Sequence, residues 1–430
     1  AKLRTERDFS YTENATVRLS RSLDCFIKTA YFDTQRPEPL FMPDIRPIQK
    51  PYSAMLVDGE KKIRYNGNRF FPAVEDVNTV DFRENILVER LPKILHNQEY
   101  FYHLHKIDNG IFFGSVEFFK SIGAEWCNLP LTTLMISSPG EVYAGKKLDY
   151  TTDALPVSLS WFDNKRNIFL AESSQFYLEF RLLIQDINKV FSIYNSFRKE
   201  KADFCHLSEF QHIEFEGKIS LEESTRIFLE LIRYITKYLR GHEEKSLIYF
   251  IGEENYKNLE GAFSQNNIIT ITFKEALESL YKETGDDVYK EFSLKHFGAW
   301  EEIKLTEIFN KHVIVTKHPL MQIPFYHNEL EEDENGVPLA ENADFILCGY
   351  RETVGSGTRI SNPEALMKKA EAFNLPLSDY NSYIQTRLQN NYQKTSGFGL
   401  GWQRYVQWIL QLPFIWEATH IPRGHHLPKP

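Results

Sequence analysis

An α+β fold built on a mainly antiparallel sheet is predicted by three features of this sequence. Strand-like runs are mixed with helical runs, without the regular strand–helix alternation of a parallel sheet. Asp58-Gly59 and Asn66-Gly67 stand between apolar stretches, the strongest short-range hairpin signal. The chain has 430 residues, of which 42% are hydrophobic and 25% charged, enough for a sizeable core and unlike a disordered composition. That length suggests two or three domains.

The elements follow in order. Five prolines between Pro37 and Pro51 predict an extended connector. Ala54–Val57, Glu60–Tyr65 and Arg69–Phe71, split by the two Gly turns, predict a three-stranded meander. After Pro92 a helix is predicted, with Ile107, Ile111, Phe112, Ser115 and Phe119 on one face, ending near Gly123. Paired strands are predicted at Pro156–Trp161, Asn167–Leu170 and Gln211–Glu216. Residues 220–241 predict a strong helix whose Leu221, Ile227, Phe228, Leu231, Ile232 and Ile235 turn inward. A strand at Ile268–Phe273 lies among helices, and strands return from Val313 to residue 360. Helices are predicted over 363–390 and from Gly401 to about Leu412. This divides the chain into an N-terminal region, 1–90, and a larger domain, 91–430, with an insertion at about 219–310.

Composition restricts the function. No apolar run reaches the roughly 18–20 residues of a membrane span. The charged N-terminus has no apolar signal core. Cys25, Cys127, Cys205 and Cys348 are scattered, so neither a zinc motif nor a disulfide framework is indicated, and the cytoplasm is the simplest compartment. The net charge of −9 argues against a broad phosphate-tracking surface.

Three segments carry the chemistry. Ser196-Phe-Arg-Lys-Glu200 is followed by His206-Leu-Ser-Glu-Phe210. Glu352-Thr-Val-Gly-Ser-Gly-Thr-Arg359 comes next, then Gly397-Phe-Gly-Leu-Gly-Trp-Gln-Arg404, with Ile421-Pro-Arg423 near the end. Each sets an arginine beside a carboxylate or a glycine-rich turn. A guanidinium offers bidentate donors that match phosphate oxygens and never deprotonates. Asp344 and Glu352 on adjoining strand positions are hard oxygen donors able to share a cation.

Together these segments resemble the catalytic domain of a class II aminoacyl-tRNA synthetase, and within it the asparaginyl/aspartyl branch. The resemblance runs from about residue 100 to 430. It implies a class II antiparallel sheet flanked by helices, and ATP and Mg2+ as co-substrate and metal. Arg198 and Arg404 become the catalytic arginines. ATP is held by Arg198, Glu200, His206, Glu352, Gly399, Gly401 and Arg404, and the metal by Glu352 assisted by Asp344. Ser173, Gln175, Glu179, Gly355 and Arg359 would hold the amino acid. Ser173-Ser-Gln-Phe-Tyr-Leu-Glu179 is similar to the asparaginyl pattern, and Leu178 stands where the aspartyl branch has a lysine. Glu179 would then accept from a substrate amide and repel a carboxylate, favouring asparagine over aspartate. The long helix after Pro92 resembles the motif that builds a homodimer interface. The chain departs from the pattern at Cys205, where the family usually has arginine. It departs again at Arg351, usually glycine, and at Gln403, usually acidic.

Residues 1–90 do not read as the five-stranded OB barrel that reads an anticodon, and their 15 Lys and Arg against 14 Asp and Glu are not basic enough for that task. Three readings therefore stand. The favoured one is an AMP-forming ligase that activates asparagine or aspartate and passes it to a non-tRNA amine or other small acceptor. The second is a divergent asparaginyl-tRNA synthetase, with tRNA as partner. The third is an inactive paralogue that binds nucleotide or amino acid as a sensor.

Overall fold

The computed structural model describes residues 55–65, 68–70, 90–137, 155–162, 168–199 and 203–424. The proline-rich connector and Glu200 fall outside these residues, and so does most of the region 1–90, for which no barrel was expected.

β1 (Met55–Val57), β2 (Ile63–Tyr65) and β3 (Asn68–Phe70) form the expected antiparallel meander. The Asp58 carboxylate closes its first turn, accepting from the Glu60 and Lys62 amides at 3.0 and 3.1 Å. The meander is sunk into the main core through Met55, Ile63 and Tyr65. The Tyr65 hydroxyl donates to the Gln411 carbonyl at 2.6 Å.

α1 (Arg90–His96) leads into α2 (Gln98–Ser121), which buries Ile107, Ile111, Ser115 and Phe119. Phe112, expected on that face, is 44% exposed. One residue past Ile111 it is rotated by about 100° around the helix, and the buried stripe is narrower than the sequence suggested. β4 (Glu125–Trp126) follows; β5 (Thr132–Thr133), β6 (Val157–Leu159) and β7 (Ile168–Leu170) make a small sheet of their own. α3 (Gln175–Arg181) precedes the long hairpin of β8 (Lys189–Phe197) and β9 (Glu209–Gly217). α4 (Leu221–His242) is capped by Ser220, which accepts from the Glu223 amide, and buries the expected apolar stripe except Leu221, which is half-buried.

α5 (Glu244–Asn258), β10 (Ile268–Thr272), α6 (Phe273–Thr284) and α7 (Ala299–Phe309) come next, within the span where the sequence suggested an insertion. α6 starts at a capping box between Thr272 and Glu275, which stops the strand and starts the helix in one residue. β11 (His312–Thr316), the β12 (Glu329–Glu332)–β13 (Pro338–Ala340) pair, β14 (Asn342–Ile346) and β15 (Glu352–Thr358) follow. α8 (Pro363–Ala372), α9 (Leu377–Gln385), β16 (Ser396–Gly401) and α10 (Trp402–Ile409) complete the chain.

The main sheet has the order β10-β11-β14-β15-β16-β9-β8-β4. Its centre is antiparallel; only the outer pairs β10–β11 and β4–β8 are parallel. α4 lies under one face, its Phe228 ring 5.8 Å from Phe345 and 5.9 Å from Phe398. Residues directly opposite in a ladder share a face. The helix-covered face therefore carries Ile213, Phe215, Phe398, Leu400, Val354 and Phe345, all buried.

Candidate active site

The opposite face is shaped by period-2 alternation. β9 presents His212, Glu214 and Glu216 there, directly opposite Gly401, Gly399 and Gly397 of β16. Gly399 pairs with Gly355 of β15, and Gly355 with Asp344 of β14. Glycines on two adjacent strands leave a trough walled by carboxylates. This corrects the sequence reading: Gly355–Gly357 and Gly397–Gly401 are strand segments, not turns.

One end of the trough is filled. A Cβ on Gly397 would stand 2.0 Å from Glu216 Oε2 and 2.3 Å from the Phe215 carbonyl oxygen, and one on Gly357 would meet the His327 ring at 2.7 Å. Gly397→Ala is therefore expected to cost at least about 1–3 kcal/mol, because backbone must move. A urea midpoint equal to that of the parent protein would contradict this packing. Gly355, Gly399 and Gly401 line the open part, where a Cβ would meet nothing closer than Glu352 Oε1 at 3.1 Å.

At the filled end, Arg359 donates to Glu216 through Nε at 3.1 Å and Nη2 at 2.8 Å. The Gln175 amide donates to the same carboxylate at 3.0 Å. Glu179 accepts from Tyr383 at 2.6 Å and from Arg387 at 2.8 Å. Each Glu179 oxygen thus takes one donor and its charge is compensated by Arg387, which leaves further lone pairs for a substrate amide. Ser173 donates to Glu214 at 2.7 Å, and Tyr194 donates to its other oxygen. Burial pushes the Glu214 carboxyl up to about 7 despite these donors.

At the open end, Glu352 and Asp344 face each other across Gly355, whose Cβ would lie 3.1 and 3.9 Å from their oxygens. A register shift between Phe345 and Ile346 turns Glu352 toward the trough. Burial, then the charges of Asp344 and Glu302, push Glu352 up to about 7, and burial does the same to Asp344. Two crowded carboxylates of this kind are hard donors that a divalent cation would relieve, so they fit Mg2+. Asp203, Cys205 and His206 also gather donor atoms within 4.8 Å. Those atoms already hydrogen-bond one another: the Cys205 thiol donates to Asp203 at 3.2 Å, and His206 Nδ1 lies 2.8 Å from both carboxylate oxygens. Burial alone would lower the His206 pKa, but Asp203 outweighs it and holds the imidazolium up to about 10.

The arginines close this end. Arg198 follows β8, its amide on the Ser208 carbonyl at 2.9 Å and its guanidinium 5.5 Å from the Phe210 ring centre. Arg404 opens α10 and donates to the Glu352 carbonyl at 2.6 Å and the Cys205 carbonyl at 3.4 Å. Partly buried His212 lies near both; desolvation and then both cations hold it well below the ordinary imidazole range, which favours the neutral ring. Gln403 turns away, its Oε1 capping the Gln211 amide at 2.9 Å where the ladder to β16 has ended.

The structure thus gathers Ser173, Gln175, Glu179, Arg198, His206, Asp344, Glu352, Gly355, Arg359, Gly399, Gly401 and Arg404 along one face of the sheet. Sequence reading missed Glu214, Glu216, Glu302 and Arg387. Glu214 and Glu216 alternate with Ile213 and Phe215, a pattern that already announced their common face.

A family model described as "tRNA synthetases class II (D, K and N)" matches residues 150–425. The asparagine–tRNA ligase of Pyrococcus abyssi is 32% identical over 274 residues, 62% of this chain and 58% of that protein. That of Thermoplasma acidophilum is 33% identical over 270 residues, 61% of this chain and 59% of that protein. The chain thus spans less than three-fifths of the length of these curated relatives. Among solved structures, the Pyrococcus horikoshii asparaginyl-tRNA synthetase complexed with asparaginyl-adenylate superposes with a TM-score of 0.68. It is 24% identical, covering 86% of this chain and 79% of that one.

Proposed function

The chain belongs to the class II tRNA synthetase family of the D, K and N type, and from that premise we propose that it activates asparagine with ATP as an aminoacyl-adenylate. The observation that carries this reading is the glycine trough between the Arg359–Glu216 end and the Arg198–Arg404 end. It offers one channel with an amino-acid pocket at one end and phosphate-binding cations at the other.

The reaction is in-line attack of the substrate α-carboxylate on the α-phosphorus of ATP. No side-chain nucleophile is required, because positioning and charge stabilisation supply the rate. Glu214, on the pocket wall, is suited to hold the substrate ammonium. Arg198 and Arg404 flank the uncharged His212 and would share the charge that grows on the α-phosphate. Glu352 and Asp344 would hold Mg2+, which neutralises phosphate charge when bound.

The acceptor is a separate question. The matched relatives are named tRNA ligases, which supports tRNA. The near-neutral N-terminal ninety residues support a small amine instead. A homodimer is supported by the α2–β4 segment, which leaves Phe113 and Trp126 52% and 62% exposed.

The test is trapping. With asparagine, ATP, Mg2+ and hydroxylamine, the protein is expected to release AMP and form asparagine hydroxamate, and EDTA should stop it. No hydroxamate with asparagine or aspartate would overturn the reading. A tRNA-charging assay alongside decides between the acceptors.

A further inference from the structure

Cys205 and Arg351 are 146 positions apart, yet Arg351 Nη1 lies 3.5 Å from Cys205 Sγ. The guanidinium is fixed from behind. Glu302 on α7 accepts from its Nε at 2.8 Å and its Nη2 at 3.0 Å. The same Glu302 oxygen that takes Nε also accepts the Glu352 amide at 2.6 Å. Arg351 is therefore locked to the strand that bears one of the two cation-site carboxylates. Its side chain is 14% exposed, that of Glu302 6%.

Three cations meet on the short turn Asp203–His206. Arg351 touches the Cys205 thiol, Arg404 the Cys205 carbonyl at 3.4 Å, and His206 is the imidazolium paired with Asp203. Arg351 spends two of its nitrogens on the Glu302 carboxylate and the third on sulfur, a weak acceptor. An ionised phosphate oxygen is a far better partner for that third nitrogen. The plane of the guanidinium is already set by Glu302, so little freedom is lost on engaging one.

We propose that Arg351 is a phosphate-binding residue of this site, directing its Nη1 edge at the outer phosphates of ATP beside His206. The proposal rests on the ATP-binding reading above. Cys205 offers that nitrogen only a thiol, which a phosphate oxygen would displace, and a cation carried just before β15 takes the place of one carried on the β8–β9 hairpin.

The test compares binding of ATP·Mg2+ and of AMP by calorimetry, with activity as a second readout. Arg351→Gly should weaken ATP about ten- to a hundredfold and leave AMP within about twofold, because AMP lacks the outer phosphates. Arg351→Gly with Cys205→Arg should recover most of the loss, since it returns a guanidinium to the same space. Arg351→Gln with Glu302→Gln, which leaves no buried charge unpaired, guards against simple misfolding and should also lose ATP selectively. Equal losses for ATP and AMP, or unchanged ATP binding in the folded variants, would overturn the proposal. Failure of the parent protein to bind either nucleotide would instead refute the ATP-site reading, and the proposal with it.

Discussion

Arg198→Ala is expected to lower asparagine-dependent ATP–pyrophosphate exchange by at least about 10²–10³-fold, the usual effect of removing one preorganised donor from a charge-stabilising site. The fold should not suffer. Arg198 lies just past β8, over the Phe210 ring, and beside a histidine held neutral by burial and by the two arginines. Arg198 is half-buried, at the end of its strand rather than in the core, so truncating it opens no core cavity. The measurement is the exchange rate at saturating substrates together with the urea midpoint. An active Arg198→Ala protein would refute the placement of the α-phosphate between Arg198 and Arg404.

Glu216→Ala should act in the opposite sense, on stability first. Glu216 and Arg359 have side-chain exposures of 0% and 2%, and Gln175 donates to the same carboxylate. Removing one partner of such a pair leaves the other charged in a dry pocket, at about 3–5 kcal/mol. The exposed Arg226–Glu223 pair on α4 is the internal contrast. Its side chains are 51% and 33% exposed, and Arg226→Ala should cost under about 1 kcal/mol. Urea denaturation of both variants checks the ranking. Equal midpoints would mean that the Arg359–Glu216 pair is solvated.

Much of this was legible in the sequence. The meander followed from Asp-Gly and Asn-Gly, and α4 from its 3.6-residue stripe. Local periodicity is strong in such segments because one face is buried. The trough was misread because glycine repeats at every second position look like turns, whereas paired against Glu214 and Glu216 they make a strand with an empty face. The surroundings of Glu179 were not legible for another reason. Its partners Tyr383 and Arg387 come from about two hundred residues downstream, and no local pattern reports a contact of that separation. Arg351 and Cys205 are the same case: each is an isolated departure in sequence, and only the fold brings them together.

The measurement that bears most directly on the central claim is ATP–pyrophosphate exchange with asparagine and aspartate in separate reactions. In the pocket, Glu216 is balanced by Arg359 and Glu179 by Arg387, while Glu214 adds a further carboxylate. A neutral amide leaves that balance intact, and a second side-chain carboxylate would bring an uncompensated charge. Exchange with asparagine, at least about tenfold above that with aspartate, is the predicted result. Equal or faster exchange with aspartate would contradict the pocket reading, and exchange with neither would contradict adenylate formation itself.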